Sequence, residues 1–309
     1  ATKAVLNIGW IPYGRDLGFF TALEKGYFKA AGLDVKIIRG YGGSKSAQDL
    51  GAGIADMAGC DTASLVLARG RDVPIKMAFM QHYIPPFVVR TLEGNGVNNL
   101  KDLEGKKFGT PAGDASWKNF PVLAKINGID MSKINVINVA PSVRERGLLG
   151  GQYHAATGFI TSTPVFRQMA KDAGKTEKLL LLKNFGLDMY GYGYAITDET
   201  ATKRPHVARG LVTGTIKGVA YAMQHPDEGM DYLIKHAPTV KRVPNRKVWD
   251  IALDLWIVEE SKTLGLGWMT DKMWKQTRDI IATNSGLKKT IPVTVLTAPH
   301  YIAHQAPEF

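Results

Sequence analysis

The sequence predicts an α/β protein of two lobes, each a mainly parallel sheet flanked by helices, with extra helices at its C-terminal end. Three observations carry this. Short β-rich runs alternate with helical patterns over the first 80 residues, which implies parallel βαβ units covered on both faces. A faint repeat places Gly32-Leu33-Asp34, followed 21 residues on by Gly53, against Gly128-Ile129-Asp130, followed 23 residues on by Gly151. From about residue 205 the pattern turns almost wholly helical.

In order, Val5 to Trp10 reads as a strand, and Leu17, Phe20, Leu23 and Tyr27 recur at helical spacing behind Asp16, read as an N-cap, with Gly32 ending the helix. Strands are expected at Val35 to Ile38, Ile54 to Cys60 and Ile75 to Met80, with helices at Ser44 to Leu50 and Ala63 to Arg69. A strand over Lys107 to Gly109 leads through a turn to a helix over Phe120 to Ile126. The late helices are Pro205 to Gln224, Asp227 to His236, Asn245 to Thr263 and Thr270 to Ser285, with Pro244 just before a start and Gly286 at a stop. The outside of the first lobe is the simplest place for them to pack.

Composition narrows the function classes. The chain has 309 residues, 45% hydrophobic and 22% charged, with one Cys, so low-complexity, collagen-like and disulfide-framework readings fall away. The charge of +11 is spread out, and its densest stretches, Lys241, Arg242, Arg246 and Lys247, then Lys288 with Lys289, are short and lack interleaved aromatics. No nucleic-acid partner is expected; the surplus reads as solvated surface with weak steering of an anionic ligand. No apolar run reaches the roughly 18 to 20 residues of a membrane helix. The chain opens Ala1-Thr2-Lys3 and enters a strand almost at once, as a mature chain does after an export signal is cut away.

Catalytic signatures are missing. There is no Gly-x-Ser-x-Gly elbow, phosphate-binding Gly-x-x-x-x-Gly-Lys loop, His-Glu-x-x-His pair or CxxC. No catalytic residue, metal site or cofactor is expected. His300 and His304 alone have helical ligand spacing and read as part of a frayed terminus; Cys60 reads as a buried structural thiol at a strand end.

Two turns have the chemistry of a binding site. Gly40-Tyr41-Gly42-Gly43-Ser44 opens a helix whose backbone N–H groups and Ser44 hydroxyl can meet a polar ligand group. Gly109 to Trp117 offers Asp114, Ala115, Ser116 and Trp117 at a second helix start, where Asp114 is either a cap or a contact. Aromatic residues gather where strands end: Trp10, Tyr13, Tyr41, Tyr83, Trp117, Phe159, Tyr190 and Tyr192. Ligands of open α/β sheets bind outside the carboxyl ends of the strands, which puts a ring-rich cleft at that mouth. The expected ligand-binding set is Trp10, Tyr13, Asp16, Tyr41, Gly43, Ser44, Asp61, Gln81, Tyr83, Asp114, Ala115, Ser116, Trp117, Phe159 and Tyr190. Stacking is assigned to Trp10, Tyr41, Trp117 and Tyr190. Asp16, Asp61 and Gln81 would read ligand N–H or O–H groups, and Ser44 and Ser116 acceptors or an acidic group.

Gly9-Trp10-Ile11-Pro12, the string Gly18 to Phe28, Gly32-Leu33-Asp34-Val35, Asn99 to Gly109 and Leu148 to Ala155 resemble solute-binding proteins of ABC importers of the nitrate, sulfonate and taurine class. The nearest branch is similar to the pyrimidine-precursor-binding proteins related to thiamin-pyrimidine synthases. The resemblance implies a periplasmic-binding-protein fold of type II, closing like a flytrap on a small molecule in the cleft; the number of rings at that mouth favours a small planar aromatic or heteroaromatic ligand, with or without a carboxylate or sulfonate, over a simple oxyanion. The resemblance places lobe 1 at residues 1–87 and 193–309 and lobe 2 at 88–192, with crossovers near Phe87 to Arg90 and Gly191 to Ala195, and Gly191 and Gly193 as hinges. It also implies a monomer, periplasmic or exported and membrane-tethered, that delivers its ligand to the transmembrane subunits of an ABC permease. The alternative is a synthase-like enzyme on the same scaffold. Against it, the synthase branch carries a His where this chain has Asp16, and the Cys-rich synthase segment has no counterpart; His154 replaces an acidic residue usual in the family.

Overall fold

In β1 (Thr2–Asn7), Ala4 and Leu6 are buried while Lys3 faces out, the alternation of a strand with one face covered. The computed structural model describes residues 1–298. The first lobe continues with α1 (Leu17–Glu24), α2 (Tyr27–Ala30), β2 (Leu33–Ile38), α3 (Gly43–Gly51), β3 (Met57–Asp61), α4 (Thr62–Gly70) and β4 (Ile75–His82). The second comprises β5 (Phe87–Leu92), β6 (Lys107–Thr110), α5 (Ala115–Ile126), β7 (Asn135–Asn138), α6 (Arg144–Leu149), β8 (Ala155–Phe159), α7 (Thr163–Asp172) and β9 (Glu177–Leu181). The chain then returns to the first sheet with β10 (Tyr192–Thr197), followed by α8 (Asp198–Lys203), α9 (Pro205–Gln224), α10 (Pro226–His236), α11 (Arg242–Trp256), α12 (Glu259–Leu264) and α13 (Asp271–Ser285).

The two sheets share one topology. The first has the order β2-β1-β3-β10-β4 and the second β7-β6-β8-β5-β9. In each, three strands pair in parallel, while the strand received from the other half of the chain, β10 or β5, runs antiparallel between its neighbours. The sequence repeat falls at equivalent places: Gly32 and Gly128 precede β2 and β7, Gly53 and Gly151 precede β3 and β8. This is a two-lobed α/β fold.

One large apolar cluster joins Leu6, Phe79 and Tyr194 of the first lobe to Phe108 and Phe120 of the second. A smaller one, with Tyr153 and Phe166, lies on the second sheet's other face. On α9 the buried residues Val207, Leu211, Thr215, Val219 and Ala222 form a stripe of helical spacing, and this helix packs on α1. The late helices pack on the first lobe, and α11 and α13 also touch α7 and α5 of the second.

Several expectations are corrected. The helix expected through Tyr27 breaks at Gly26, which takes φ +71°, and resumes as α2. Asn245 to Thr263 is two helices, and Pro244 lies in the first turn of α11, where its missing N–H costs no intrahelical bond. Phe87 to Arg90 belongs to β5, so the chain crosses between the sheets at residues 83–86 and 182–191. Gly193 lies inside β10, where a Cβ would meet the Phe79 carbonyl oxygen at 2.4 Å; it permits close strand packing. His300 and His304 lie outside the described residues.

Candidate functional site

The parallel strands of the two sheets point their carboxyl ends at a common cavity of about 120 Å³. The segment after β1 contributes Gly9, Trp10, Ile11, Tyr13 and Arg15; the start of α3 contributes Gly42 and Gly43; β10 contributes Tyr192. From the second lobe come Asp114 and Ala115 at the start of α5, Arg144 and Glu145 on α6, Phe159 at the end of β8, Ser162 just before α7 and Val165 in its first turn. Asn7 pins the first turn, accepting the Gly9 N–H at 2.8 Å while donating to Asp49. The hydroxyls of Tyr13 and Thr161 meet across the cleft at 2.9 Å.

Arg15 is the central charge. Its side chain is 1% exposed, and its guanidinium carbon lies 4.8 Å from the Tyr192 ring centre, 5.0 Å from Tyr13 and 5.3 Å from Phe159. These are cation–π distances in a desolvated setting. One nitrogen donates to the Ile8 carbonyl at 3.3 Å, and Nε lies 3.4 Å from Asp16 Oδ1 without hydrogen-bond geometry. Nε and Nη1 therefore remain without a hydrogen-bond partner. Burial pushes the Asp16 carboxyl up to about 6, against the pull of Arg15. Burial likewise raises the phenols of Tyr13 and Tyr192, which stay neutral donors.

The opposite wall is electrostatically saturated. Arg144 donates to Asp114 at 2.8 Å and to Glu145 at 2.6 and 3.0 Å, with its guanidinium 5.3 Å from the Trp10 ring centre. Asp114 also caps α5 by accepting the Trp117 N–H at 3.2 Å. Burial raises the Asp114 carboxyl despite Arg144, whereas for Glu145 the guanidinium groups of Arg144 and Arg90 outweigh burial and hold it below the usual range. The ionisable side chains lining the cavity are thus two cations, Arg15 and Arg144, against two carboxyls, Asp114 and Glu145.

Of the residues expected from sequence, Trp10, Tyr13, Gly43, Asp114, Ala115 and Phe159 line the cavity. Others stand behind its wall. Asp16 occupies the N-cap position of α1, but its carboxylate accepts the Tyr13 N–H at 3.1 Å instead of an amide of α1. Asp61 caps α4, Gln81 donates to the Arg15 carbonyl at 3.4 Å, and Ser116 donates to the Gly158 carbonyl at 2.7 Å. Ser44 is half-buried in the first turn of α3, outside the lining set.

Four aromatic residues are placed elsewhere by stronger partners. Tyr41 is 51% exposed with Arg39 over its ring, and Trp117 stacks on Phe120 at 5.3 Å. Tyr83 donates to the Trp268 carbonyl at 2.7 Å; the Tyr190 hydroxyl donates to Glu260 and accepts the Thr270 N–H, and its ring packs on Trp274. Sequence reasoning did not select Arg15, Gly42, Arg144, Glu145, Ser162 or Tyr192. Gly42 and Tyr192 had a signal, the Gly-rich turn and the aromatic cluster. His154 accepts the Lys107 N–H at 3.2 Å, away from the cavity. Among the described residues no His, Cys, Asp and Glu cluster could hold a metal, and no helix is long and apolar enough to cross a membrane.

The profile of the family described as NMT1/THI5 like matches residues 15–229. The chain belongs to that family. Among its relatives is the riboflavin-binding protein RibY of Chloroflexus aurantiacus, 22% identical over 286 residues, covering 90% of this chain and 80% of that one. Another is a 4-amino-5-hydroxymethyl-2-methylpyrimidine phosphate synthase of Saccharomyces cerevisiae, 30% identical over 245 residues, covering 76% and 72%. Among solved structures, the alkanesulfonate-binding protein SsuA from Xanthomonas axonopodis pv. citri, bound to MOPS, superposes with a TM-score of 0.72 at 13% identity, covering 96% of this chain and 99% of that one. The NMT1/THI5-like chain therefore shares the fold of periplasmic solute-binding proteins, and its relatives include both binding proteins and synthases.

Proposed function

We propose that this NMT1/THI5-like protein is the solute-binding component of an ABC import system and captures a small planar heteroaromatic ligand between its lobes. The observation that carries the reading is Arg15: a fully buried guanidinium, ion-paired with Asp16 yet with N–H groups that make no hydrogen bond, ringed by Tyr13, Tyr192 and Phe159 at the cavity wall. A buried cation with open donors calls for an acceptor, and ring faces around it call for a flat one. The start of α3 lacks a side-chain cap at Gly42, so its amides add donors on the same side.

Charge and size narrow the class. Two cations against two carboxyls on the lining, with the Asp16 carboxyl paired to Arg15 behind it, leave no surplus of positive charge and disfavour a simple oxyanion. The cavity, about 120 Å³ in this conformation, compares with the roughly 150 Å³ that holds one benzene ring, which favours a monocyclic ligand over a flavin. Release of an unchanged ligand fits the relatives that bind solutes, and Asp16 lies behind the wall, paired with Arg15 and outside the cavity lining. Delivery to a permease, a monomeric state and a periplasmic or tethered location complete the reading, supported by the fold shared with SsuA.

Thermal-shift screening of purified protein against a metabolite panel tests it: a ligand at 100 times its dissociation constant adds about 2.7 kcal/mol of stability. A monocyclic heteroaromatic compound is expected to raise the melting point and to be recovered with its mass unchanged. If only nitrate or taurine shifted the melting point, the planar class would be wrong; a recovered compound of altered mass would make the protein an enzyme.

A further inference from the structure

The wall of the cavity formed by Gly43 from one lobe and Ala115 from the other is backed by a pair of side chains the binding reading does not use. Asp61 ends β3 in the first lobe, and Asn119 lies on α5 in the second; both are 0% exposed. Asn119 Nδ2 donates to Asp61 Oδ1 at 3.0 Å and to the Ala115 carbonyl at 2.8 Å. The Ser64 N–H also donates to Asp61 Oδ1, at 2.9 Å. The other oxygen of each side chain, Asp61 Oδ2 and Asn119 Oδ1, has no hydrogen-bond partner. Asp61 Oδ2 instead lies against Gly43, 2.2 Å from where a Cβ on that residue would stand.

Asp61 Oδ2 and Asn119 Oδ1 are two acceptors short of one hydrogen, beside the buried Ser64 hydroxyl, an uncommitted donor that can serve Asp61 alone. An ionised carboxylate cannot supply it, and leaving both bare costs the desolvation of each. We propose that Asp61 and Asn119 form a proton-dependent clasp between the lobes: a proton taken from solvent onto Asp61 Oδ2 donates to Asn119 Oδ1, and the acid–amide pair so completed positions Gly43 and Ala115 against each other. When the proton leaves, Asp61 keeps only acceptors and the clasp loosens.

The surroundings favour the neutral acid. Burial pushes the Asp61 carboxyl up to about 6 against the bonds from Ser64 and Asn119. The titratable neighbours on β3 and β10 are the Cys60 thiol and the Tyr192 phenol, both raised by burial and neutral. Other charges on the packed helices are engaged: Lys45 of α3 with Asp49, Arg69 of α4 with Asp198, and Asp114, capping α5, with Arg144. Lys118 on α5 is half-buried, on the turn beside Asn119. Parting the lobes removes Asn119 and part of the cover over Asp61, so the closed form holds the proton more firmly and the closed-to-open ratio rises as the pH falls from 8 to 5.

Small-angle scattering of the ligand-free full chain reads this without any ligand, so its outcome is independent of the proposed cargo. Wild type is expected to be more compact at pH 5 than at pH 8. Asp61→Asn supplies the missing donor at every pH and should be compact at both; Asn119→Leu removes the pair and should be expanded at both. Equal dimensions of wild type at the two pH values, or a pH response that survives in either variant, would overturn the clasp. Should Asp61→Asn fail to fold, wild type and Asn119→Leu still decide the matter.

Discussion

Gly42 of the first lobe and Gly113 of the second approach so closely that a Cβ on Gly42 would stand 2.0 Å from the Gly113 carbonyl oxygen. Gly42 also takes φ +107°, a conformation that L side chains rarely adopt. Glycine is therefore required there twice over, for the backbone of the turn and for contact between the lobes. The same Gly-rich turn delivers Gly43 to the cavity.

Gly42→Ala should fold with a loss of roughly 1 to 2 kcal/mol from backbone strain. Its larger effect should be on closure, because the added methyl stands where the second lobe must arrive. Scattering is expected to show an expanded molecule at pH 5, and affinity for any ligand found by screening should fall at least about tenfold. A variant as compact and as tight-binding as wild type would show that this contact does not limit closure.

Arg15 and Asp16 are an ion pair buried to 1% exposure or less. Replacing both partners by uncharged residues of similar size removes a desolvated pair without stranding either charge. Arg15→Met with Asp16→Asn should thus melt close to wild type, within about 1 kcal/mol, while losing the charge-assisted bonds to ligand. The expected loss of affinity is about 10- to 100-fold, equivalent to roughly 1.5 to 3 kcal/mol. Calorimetric titration alongside thermal unfolding separates the two effects.

Tyr190 offers the opposite contrast. Its hydroxyl holds Glu260 and Thr270, and its ring packs on Trp274, all on the late-helix side of the first lobe. Tyr190→Phe should cost about 1 to 3 kcal/mol, since it strands a partly buried carboxyl that burial already raises, and should leave ligand affinity unchanged. A tenfold weaker complex with unaltered stability would place Tyr190 back in the cleft.

What was legible in the sequence follows from the range of the interactions. The Gly40 to Ser44 turn and the Asp114 cap announce themselves locally, through residues that only certain backbone shapes need, and both reach the cavity. Arg15 could not be recognised: in sequence it is one of 39 basic residues, and only the arrival of Phe159 and Tyr192 from distant strands makes it a buried cation. Arg144 is hidden in the same way, since its partner Asp114 lies 30 positions earlier. Tyr190 and Tyr192 belong to the same aromatic cluster in sequence, yet the expected set takes Tyr190 alone. Tyr192 opens β10 toward the cleft, whereas Tyr190 precedes the strand and is captured by Trp274 and Tyr83.

His82, the last residue of β4, gives a prediction in pH. It is fully buried, neither ring nitrogen has a hydrogen-bond partner, and its carbonyl accepts the Gly191 N–H that ties the two crossovers together. Burial first, and then the nearby Arg15 charge, hold the imidazole well below its ordinary range, so the folded protein keeps it neutral. A base depressed on folding contributes stability above its unfolded pKa of about 6.5 and loses that contribution as pH falls, because the unfolded chain takes up the proton first. His82→Phe removes this loss. Asp61 works with the opposite sign in the same window, so the informative quantity is the difference in urea-unfolding free energy between wild type and His82→Phe. It should move against wild type by up to about 1.4 kcal/mol for each pH unit below 6.5. A difference that stays flat from pH 7 to pH 5 would mean that the imidazole finds a proton, and a partner, inside the fold.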